Sequence, residues 1–210
     1  MCNRYRMSEK DRAIAEHFGV VVPPDLTFPN PELFPRREAL VVRSFDTRFD
    51  GLSAAQDERV CKAGRVVDVM RWGFPPPGGS KAPVTNVRNL ASPFWRTALG
   101  RPERRCLVPV TSFCEWEGEK GAKVERWFSQ PAAPIFAFAG VWRPVQIGED
   151  KWERAFAFLT CEPNPLVAPI HPKAMPVILH PGDYERWLTD DYASVCELAE
   201  PFPSQLLTVA

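Results

Sequence analysis

The sequence predicts an α+β fold, built around a curved, mostly antiparallel and barrel-like β-sheet with peripheral helices. Segments that alternate like β-strands outnumber segments with helical periodicity, and most connections are too short for repeated βαβ crossovers. The 23 prolines in 210 residues favour long irregular loops around this sheet. Because no linker is long enough to divide the chain and no internal repeat occurs, we expect one domain over residues 1–210.

The first predicted element is a helix at residues 8–18. Ser8 and Asp11 have the spacing of a capping box, and Ile14 and Phe18 then supply one apolar face before Gly19. The proline-rich stretch that follows, residues 20–35, predicts an extended segment at the surface.

The later elements are predicted from hydrophobic patterning. Strands are expected where β-branched and aromatic residues cluster between turn-forming residues. The predicted strands are residues 39–45, 66–72, 106–116, 135–142 and 154–161, with weaker candidates at 175–179 and 206–209. Short helices are expected at residues 183–188 and 192–198.

Charge is distributed unevenly along a chain whose formal net charge is zero. Residues 36–105 hold 14 Lys and Arg against 7 Asp and Glu, a net charge of +7, whereas residues 106–210 hold 8 against 14, a net charge of −6. A local basic segment is what the neutralisation of phosphates requires, whatever the total charge. A solvated arginine-rich surface would give the same count, so composition leaves both interpretations open.

The sequence predicts an intracellular protein. Its first residues lack the apolar region of a secretory signal, and its longest apolar runs are too short to span a bilayer. We therefore expect a cytoplasmic location, associated with the nucleoid if the source is bacterial, with no membrane contact and a monomeric state.

The six cysteines indicate neither a disulfide framework nor a metal site. They are scattered, without a CxxC pair or a histidine at zinc-finger spacing, so no metal and no cofactor are expected. Cys106, Cys114 and Cys161 lie in apolar runs and are predicted to be inert core residues. Cys2 differs from them, because the first residues of a chain seldom belong to the core.

Cysteine at position 2 has a specific chemical consequence. Removal of Met1, which is favoured before a small residue, would expose an α-amine and a thiol on adjacent carbons. The amine titrates near ~8 and the thiol near ~8.5, so both are partly reactive at neutral pH. Such a 1,2-aminothiol can act as an N-terminal nucleophile in amide hydrolysis. It can also trap an aldehyde as an imine that the thiol closes into a thiazolidine.

Three further segments carry polar groups in settings that suit chemistry. Asn86 and Arg88 lie in a loop after a Gly/Pro-rich joint, where they would bind a phosphate and a carbonyl oxygen or simply form a polar turn. Glu115 lies inside an aromatic strand, so it is either buried with a raised pKa or directed into solvent. His171 lies in a proline-flanked loop; a lone histidine is more often structural than catalytic, but a loop position favours a functional role.

Taken together and in this order, these segments resemble the SOS response-associated peptidase (SRAP) family of abasic-site processing proteins. The shared motifs are Met1-Cys2-Asn3-Arg4-Tyr5, Trp72-Gly73, Asn86-Val87-Arg88, Phe113-Cys114-Glu115-Trp116, Ile170-His171 and Met175-Pro176-Val177-Ile178-Leu179. They extend from residue 2 to about residue 188, which is nearly the whole chain. Each motif alone is weakly specific, but the whole set in this order is strong evidence for the resemblance.

The resemblance implies a role for each matched residue. Cys2 would be the nucleophile and the site of covalent linkage, and Asn86 would orient the sugar or the aldehyde. Glu115 would protonate the sugar oxygen during ring opening, and His171 would assist proton transfer. The implied DNA-binding residues are Arg4, Trp72, Arg88 and Lys173.

The sequence departs from the family pattern at several positions. Asn3 replaces the usual glycine beside the nucleophile. The loop at residues 74–79 lacks the tryptophan pair that some relatives stack on DNA. The stretch from His171 to Pro176 is one residue longer than in relatives, so Lys173 matches a DNA-contacting arginine only approximately.

The resemblance implies an abasic-site sensor that binds single-stranded DNA and forms a thiazolidine crosslink through Cys2 after removal of Met1. Such a protein would combine lyase-like chemistry with self-processing peptidase activity. Two alternatives remain open. One is a thiol peptidase or amidase that uses Cys2 as an N-terminal nucleophile, and the other is a non-covalent single-stranded DNA-binding module.

Overall fold

The structure is a computed structural model that describes residues 2–50, 64–76, 82–119 and 121–210. The strands are β1 (Tyr5–Arg6), β2 (Glu32–Leu33), β3 (Glu38–Ser44), β4 (Arg65–Trp72), β5 (Asn86–Val87), β6 (Arg105–Val110), β7 (Ser112–Glu117), β8 (Val124–Ser129), β9 (Phe136–Gln146), β10 (Trp152–Cys161), β11 (Met175–Pro176), β12 (Ile178–Leu179) and β13 (Thr208–Val209). The helices are α1 (Asp11–Phe18), α2 (Thr47–Asp50), α3 (Pro93–Leu99), α4 (Tyr184–Thr189) and α5 (Tyr192–Glu197).

The strands form two sheets, one of which closes on itself. In the larger sheet the order is β11-β10-β4-β3-β6-β9-β12, and β9 also pairs with β10. Strands β10, β4, β3, β6 and β9 therefore form a closed five-stranded barrel, which leaves these strands without free edges. The smaller sheet has the order β13-β8-β7-β1-β2 with antiparallel neighbours throughout. The predicted α+β class and the mostly antiparallel, barrel-like sheet are confirmed.

Two parallel pairings interrupt the antiparallel pattern. Strand β10 pairs in parallel with β4 and, further along, with the short strand β5. Strand β11 pairs with the end of β10 at Thr160 and Cys161. The end of β10 thus pairs with two short strands, β5 and β11. Polar loops precede and follow these two strands.

The N-terminal strand β1 connects the small sheet to the barrel. Its Tyr5 is fully buried and packs edge-on against Trp72, Phe138 and Phe158, with ring centroids 5.1, 6.0 and 6.2 Å away. These three rings come from β4, β9 and β10 of the barrel. The packing of one aromatic side chain therefore fixes the position of the first residues of the chain.

The run at 106–116, predicted as one strand, is two strands in different sheets. Strand β6 belongs to the barrel and β7 to the small sheet. The chain turns between them at Thr111, whose backbone N–H and side-chain hydroxyl both donate to the Arg6 carbonyl, at 2.8 and 3.1 Å. This turn places β7 beside β1.

Several other predictions need correction. Helix α1 begins at Asp11 with Lys10 as its N-cap and no side-chain capping bond, so the capping-box prediction is wrong. Its end at Gly19, which adopts a positive φ of 61°, is confirmed. The extended segment at residues 20–35 contains β2, and the sequence did not predict α3 or β8. Cys61 and the loop from residue 77 to 79 lie outside the described residues.

None of the helices in the described ranges is both long enough and apolar enough to cross a membrane.

Candidate active site

Cys2 is buried at the junction of β1 and β7. Its side chain is 1% exposed, and its Sγ lies 3.4 Å from the Arg4 carbonyl oxygen and 3.8 Å from that of Cys114. Burial raises the pKa of the Cys2 thiol well above its usual range, and the nearby Glu115 carboxylate raises it further. Cys2 is therefore a protonated thiol at neutral pH. Cys106, Cys114 and Cys161 are also buried, as predicted.

Glu115 is directed inward from the middle of β7. Side chains alternate across a strand, so Glu115 shares a face with Phe113, and it is 2% exposed. Burial raises the pKa of the Glu115 carboxyl to about 7, against the smaller opposing effect of the chain's N-terminal ammonium. Its Oε1 is buried and has no hydrogen-bond partner among the described residues. The structure thus excludes the solvent-facing alternative and leaves a carboxyl that titrates near neutral pH.

Asn86 joins the site from the barrel side, on β5. Its Nδ2 donates to the carbonyl oxygen of Cys2 at 3.2 Å and to the hydroxyl of Thr85 at 2.7 Å. Its Oδ1 is buried, and no residue in the described part of the chain forms a hydrogen bond with it. The structure therefore brings Cys2, Glu115 and Asn86 together, and two of them present unpartnered oxygens.

His171 lies in a compact turn that leads into β11. Its backbone N–H donates to Val167 at 2.8 Å, and the ring Nδ1 faces the carbonyl oxygen and the N–H of Ala174 at 2.8 and 3.2 Å. Burial, followed by the chain's N-terminal ammonium, lowers the pKa of the His171 ring. The ring is therefore neutral at pH 7, and the same N-terminal charge acts on Cys2 and Glu115.

The four residues predicted to bind DNA differ in accessibility. Arg88 is exposed, donates to the Cys161 carbonyl at 2.6 Å and forms an ion pair with Glu162. Lys173 is exposed beside the His171 turn. Arg4 is largely enclosed and forms ion pairs with two carboxylates, Glu32 and Glu125.

Trp72 has no exposed surface, so the prediction that its side chain contacts DNA is wrong. The indole stacks on Phe158 with ring centroids 5.3 Å apart and meets Tyr5 edge-on. Its Nε1 donates to the carbonyl oxygen of Thr85 at 3.2 Å. Trp72 therefore supports the residue next to Asn86 from inside the barrel.

Sequence reasoning missed three residues of this region. Thr85 holds the Asn86 amide, and Glu32 and Glu125 neutralise Arg4. Thr85 could have been predicted from the sequence, since it is adjacent to Asn86 and able to accept a hydrogen bond. No feature of the sequence predicted Glu32 and Glu125, because they reach Arg4 only through the pairing of β1 with β2 and of β7 with β8.

Solved structures of other proteins share this fold. A crystal structure of a protein from Bordetella bronchiseptica superimposes with a TM-score of 0.80 at 22% identity, covering 100% of this chain and 98% of that one. A second, from Bacteroides thetaiotaomicron, has a TM-score of 0.74 at 21% identity and covers 99% of this chain and 90% of that one.

Sequence comparison finds curated relatives and one family. The chain is similar to abasic site processing protein YoqW of Bacillus subtilis, with 26% identity over 196 residues, which cover 90% of this chain and 80% of the relative. Abasic site processing protein YoaM of the same organism is 26% identical over 195 residues, covering 90% of this chain and 79% of that protein. The family model for SOS response associated peptidase (SRAP) matches residues 1–210, so the chain belongs to the SRAP family.

Proposed function

We propose that this protein recognises abasic sites in single-stranded DNA and links itself to them covalently through Cys2. The observation that carries the proposal is the convergence, at the second residue of the chain, of a thiol, a carboxyl with a pKa of about 7 and a carboxamide. The names of the relatives YoqW and YoaM support an abasic site as the substrate.

The proposed chemistry begins at the α-amine that removal of Met1 would expose. The amine adds to the C1′ aldehyde of the ring-opened sugar, and loss of one water molecule gives an imine. The Cys2 sulfur then bonds to the same C1′ carbon while the thiol proton passes to the nitrogen, which closes a thiazolidine ring. No oxidant or reductant is needed. A protonated thiol suits this order of events, because the amine acts first.

Glu115 would supply the protons that these steps require. A carboxyl with a pKa of about 7 is present in both forms at neutral pH, which is the condition under which a general acid is most effective. It would protonate the ring oxygen as the sugar opens and the hydroxyl that leaves as water. Such assistance typically contributes ~10²–10⁴-fold to a rate.

The remaining residues would bind and assist. Neutral His171 would accept and return protons during sugar opening and during release of the adduct. Arg88 and Lys173, both exposed, would contact the phosphates that flank the lesion. For Arg4, a phosphate contact would require the displacement of Glu32 or Glu125.

The two alternatives make different demands on Cys2. A thiol peptidase attacks as a thiolate, and burial raises the pKa of the Cys2 thiol, which disfavours the thiolate. A non-covalent single-strand binder would need no reactive group at all. The buried, unpartnered carboxyl oxygen of Glu115 beside this thiol favours the covalent proposal over both.

The test is incubation with a uracil-excised single-stranded oligonucleotide, followed by denaturing electrophoresis and intact-mass measurement. The wild-type protein should lose Met1 and form one heat-stable adduct per chain. A variant with a few residues added before Cys2 should bind the oligonucleotide but form no adduct, because its α-amine is distant from the thiol. Normal crosslinking by the extended variant would contradict the mechanism.

Cys2→Ser and Cys2→Ala, each compared with wild type, separate the role of the α-amine from the role of the sulfur. Both variants keep the α-amine, so both can form an imine, but neither can close the thiazolidine. We expect a short-lived complex that borohydride traps, accompanied by strand cleavage, since an imine at C1′ acidifies the C2′ hydrogens. A heat-stable complex formed by Cys2→Ser at the wild-type rate would show that sulfur is not the trapping atom.

A further inference from the structure

The backbone of Thr85 is held by the barrel. Its carbonyl oxygen accepts hydrogen bonds from the Trp72 indole at 3.2 Å and from the Phe158 backbone N–H at 3.4 Å. Trp72 is fully buried and stacked on Phe158, so neither donor is free to move. The position of Thr85 is therefore set by the interior of the protein, although Thr85 itself is half-buried.

The side chain of Thr85 is held as firmly as its backbone. Gly73 lies next to the Thr85 methyl group with a φ of +105°, and a Cβ added there would lie 3.2 Å from Cγ2 of Thr85 and 2.9 Å from Cβ of Pro83. The absence of a side chain at Gly73 leaves room for the methyl group. A β-branched residue has few χ1 rotamers, so once the methyl faces Gly73 the hydroxyl faces Asn86.

This hydroxyl completes the hydrogen bonding of one end of the Asn86 amide. A carboxamide nitrogen has two protons, and those of Asn86 go to the Thr85 hydroxyl and the Cys2 carbonyl oxygen. The two acceptors together hold the nitrogen on this side of the amide, and the contact with Thr85 is the shorter, at 2.7 Å against 3.2 Å. The Asn86 oxygen is then directed away from both acceptors and is buried, and the residues that the structure describes offer it no donor.

A buried acceptor without a partner is costly, and it is satisfied when a ligand brings a hydrogen-bond donor. An aldehyde oxygen is itself an acceptor and does not complement the Asn86 oxygen. A hydroxyl does. Opening of a deoxyribose ring creates a hydroxyl at C4′, and addition of an amine to the aldehyde creates another at C1′.

We propose that Thr85, held by the Trp72-Gly73 pair, is a positioning residue that directs the Asn86 oxygen toward a hydroxyl of the ring-opened sugar. The inference rests on the proposed function for its substrate, but it concerns recognition of the open sugar rather than covalent linkage. It also gives Trp72 and Gly73 a role in the site that requires no contact with DNA.

The experiment uses two abasic oligonucleotides that cannot form an imine. One carries a tetrahydrofuran residue, which has a closed ring and no C1′ hydroxyl, and the other carries a borohydride-reduced abasic site, which is open and has hydroxyls at C1′ and C4′. Fluorescence anisotropy gives the dissociation constant of each. The wild-type protein should prefer the reduced site by about threefold to tenfold, the range of one neutral hydrogen bond.

Thr85→Val keeps the shape of the side chain but replaces the acceptor with a methyl group, so its preference for the reduced site should fall to about one. Thr85→Ser keeps the hydroxyl and should retain most of the preference. Affinity for the tetrahydrofuran oligonucleotide should be alike in all three proteins. If Thr85→Val is poorly folded, as judged by its thermal midpoint, Thr85→Ala removes the same acceptor without adding a methyl group and takes its place.

Retention of the wild-type preference by Thr85→Val or Thr85→Ala would overturn the inference, as would the absence of any preference in the wild-type protein. Failure of the proposed function has a different signature, since it is the absence of a heat-stable adduct with the natural abasic site. A protein that prefers the reduced site but forms no adduct would keep this inference and lose the covalent mechanism.

Discussion

Glu115 couples the stability of the protein to the chemistry of its site. A carboxyl that is 2% exposed and has one unpartnered oxygen is destabilised in its charged form, because no protein group replaces the lost water. The result is a pKa of about 7 instead of 4.5. In the proposed mechanism, the free energy of folding would keep this acid available as a proton donor.

Replacement of Glu115 by glutamine should stabilise the protein in a pH-dependent way. The pKa is higher in the folded state than in the unfolded state, so the stabilising effect of the proton is complete below about pH 4.5 and is lost as pH rises through 7. A difference of about 2.5 pKa units corresponds to about 3 kcal/mol. Urea unfolding should therefore show Glu115→Gln gaining about that much, relative to wild type, between pH 5 and pH 8.5.

Glu117→Gln is the matched control for this measurement. Glu117 lies two residues further along the same strand, has a side chain that is 42% exposed and pairs with Arg126. Its replacement should change stability little at either pH, since exposed ion pairs contribute little. An effect of Glu115→Gln that is equal at pH 5 and pH 8.5 would show that the carboxyl is not destabilised by burial.

The sequence alone could not decide whether Glu115 is buried. Alternation in the motif that contains it is compatible with either face of a strand toward solvent. The face is decided by β1, which pairs with β7 and places Tyr5 beside Phe113. Only the resemblance to a family connected Cys2, Asn86 and Glu115 in advance, because no local pattern reports contacts between residues 84 and 113 positions apart.

At the scale of elements, the sequence located the barrel strands well and the small sheet poorly. The strands β3, β4, β9 and β10 are long. Most residues of β3, β9 and β10 and half of those of β4 are buried, so their hydrophobic composition identifies them in the sequence. Strand β8 has only one fully buried residue, Phe128, and β1 and β2 are two residues long. Such strands exist because a neighbour pairs with them, and that information is not local.

Gly140 shows how closely the barrel strands approach. It lies on β9, where it pairs with Phe158 of β10 and Cys106 of β6. A Cβ at this position would lie 2.8 Å from both Cys106 Sγ and Val108 Cγ2, well inside contact distance. Glycine is required here for the packing of β6 against β9 and not for an unusual backbone conformation.

Gly140→Ala should therefore destabilise the protein by about 1–3 kcal/mol, the usual range for overpacking a core. A lower thermal midpoint in calorimetry would measure this effect. Gly148→Ala is the control, since a Cβ there would lie 3.7 Å from Lys151 Cβ in an exposed turn. Equal midpoints for Gly140→Ala and Gly148→Ala would mean that the barrel relaxes around the added methyl group.

At the scale of the whole molecule, part of the positive charge in the basic segment at residues 36–105 is neutralised by ion pairs among the described residues. Arg43 is fully buried between Asp50 and Asp68, and Arg65 and Arg71 pair with Glu185 and Glu153. The last two carboxylates come from the acidic half of the chain. The opposite charges of the two halves therefore meet in folded ion pairs, which a count along the sequence cannot reveal.

The consequence is that phosphate binding should depend on a few exposed cations rather than on the net charge of a segment. Arg88 is the strongest candidate among the residues predicted to bind DNA, because it is exposed and adjacent to the site. Its partner Glu162 is 74% exposed, so the ion pair is weak and a phosphate can replace the carboxylate. If Arg88 binds a phosphate as proposed, Glu162 would compete with DNA for its guanidinium.

Arg88→Ala should weaken binding to single-stranded DNA and reduce the salt dependence by one contact, a change of about 0.7 in the slope of log K against log salt. Glu162→Gln should have the opposite effect and tighten binding at low salt, because it releases the Arg88 guanidinium for a phosphate. Arg12→Ala is the matched control, since Arg12 is an exposed arginine paired with Glu16 on α1. Anisotropy titrations from about 50 to about 300 mM salt, a range over which screening of such contacts increases, measure the affinity of all three variants. If Arg12→Ala lowered the slope as much as Arg88→Ala, or if Glu162→Gln left affinity unchanged, the phosphate contact would not lie at Arg88.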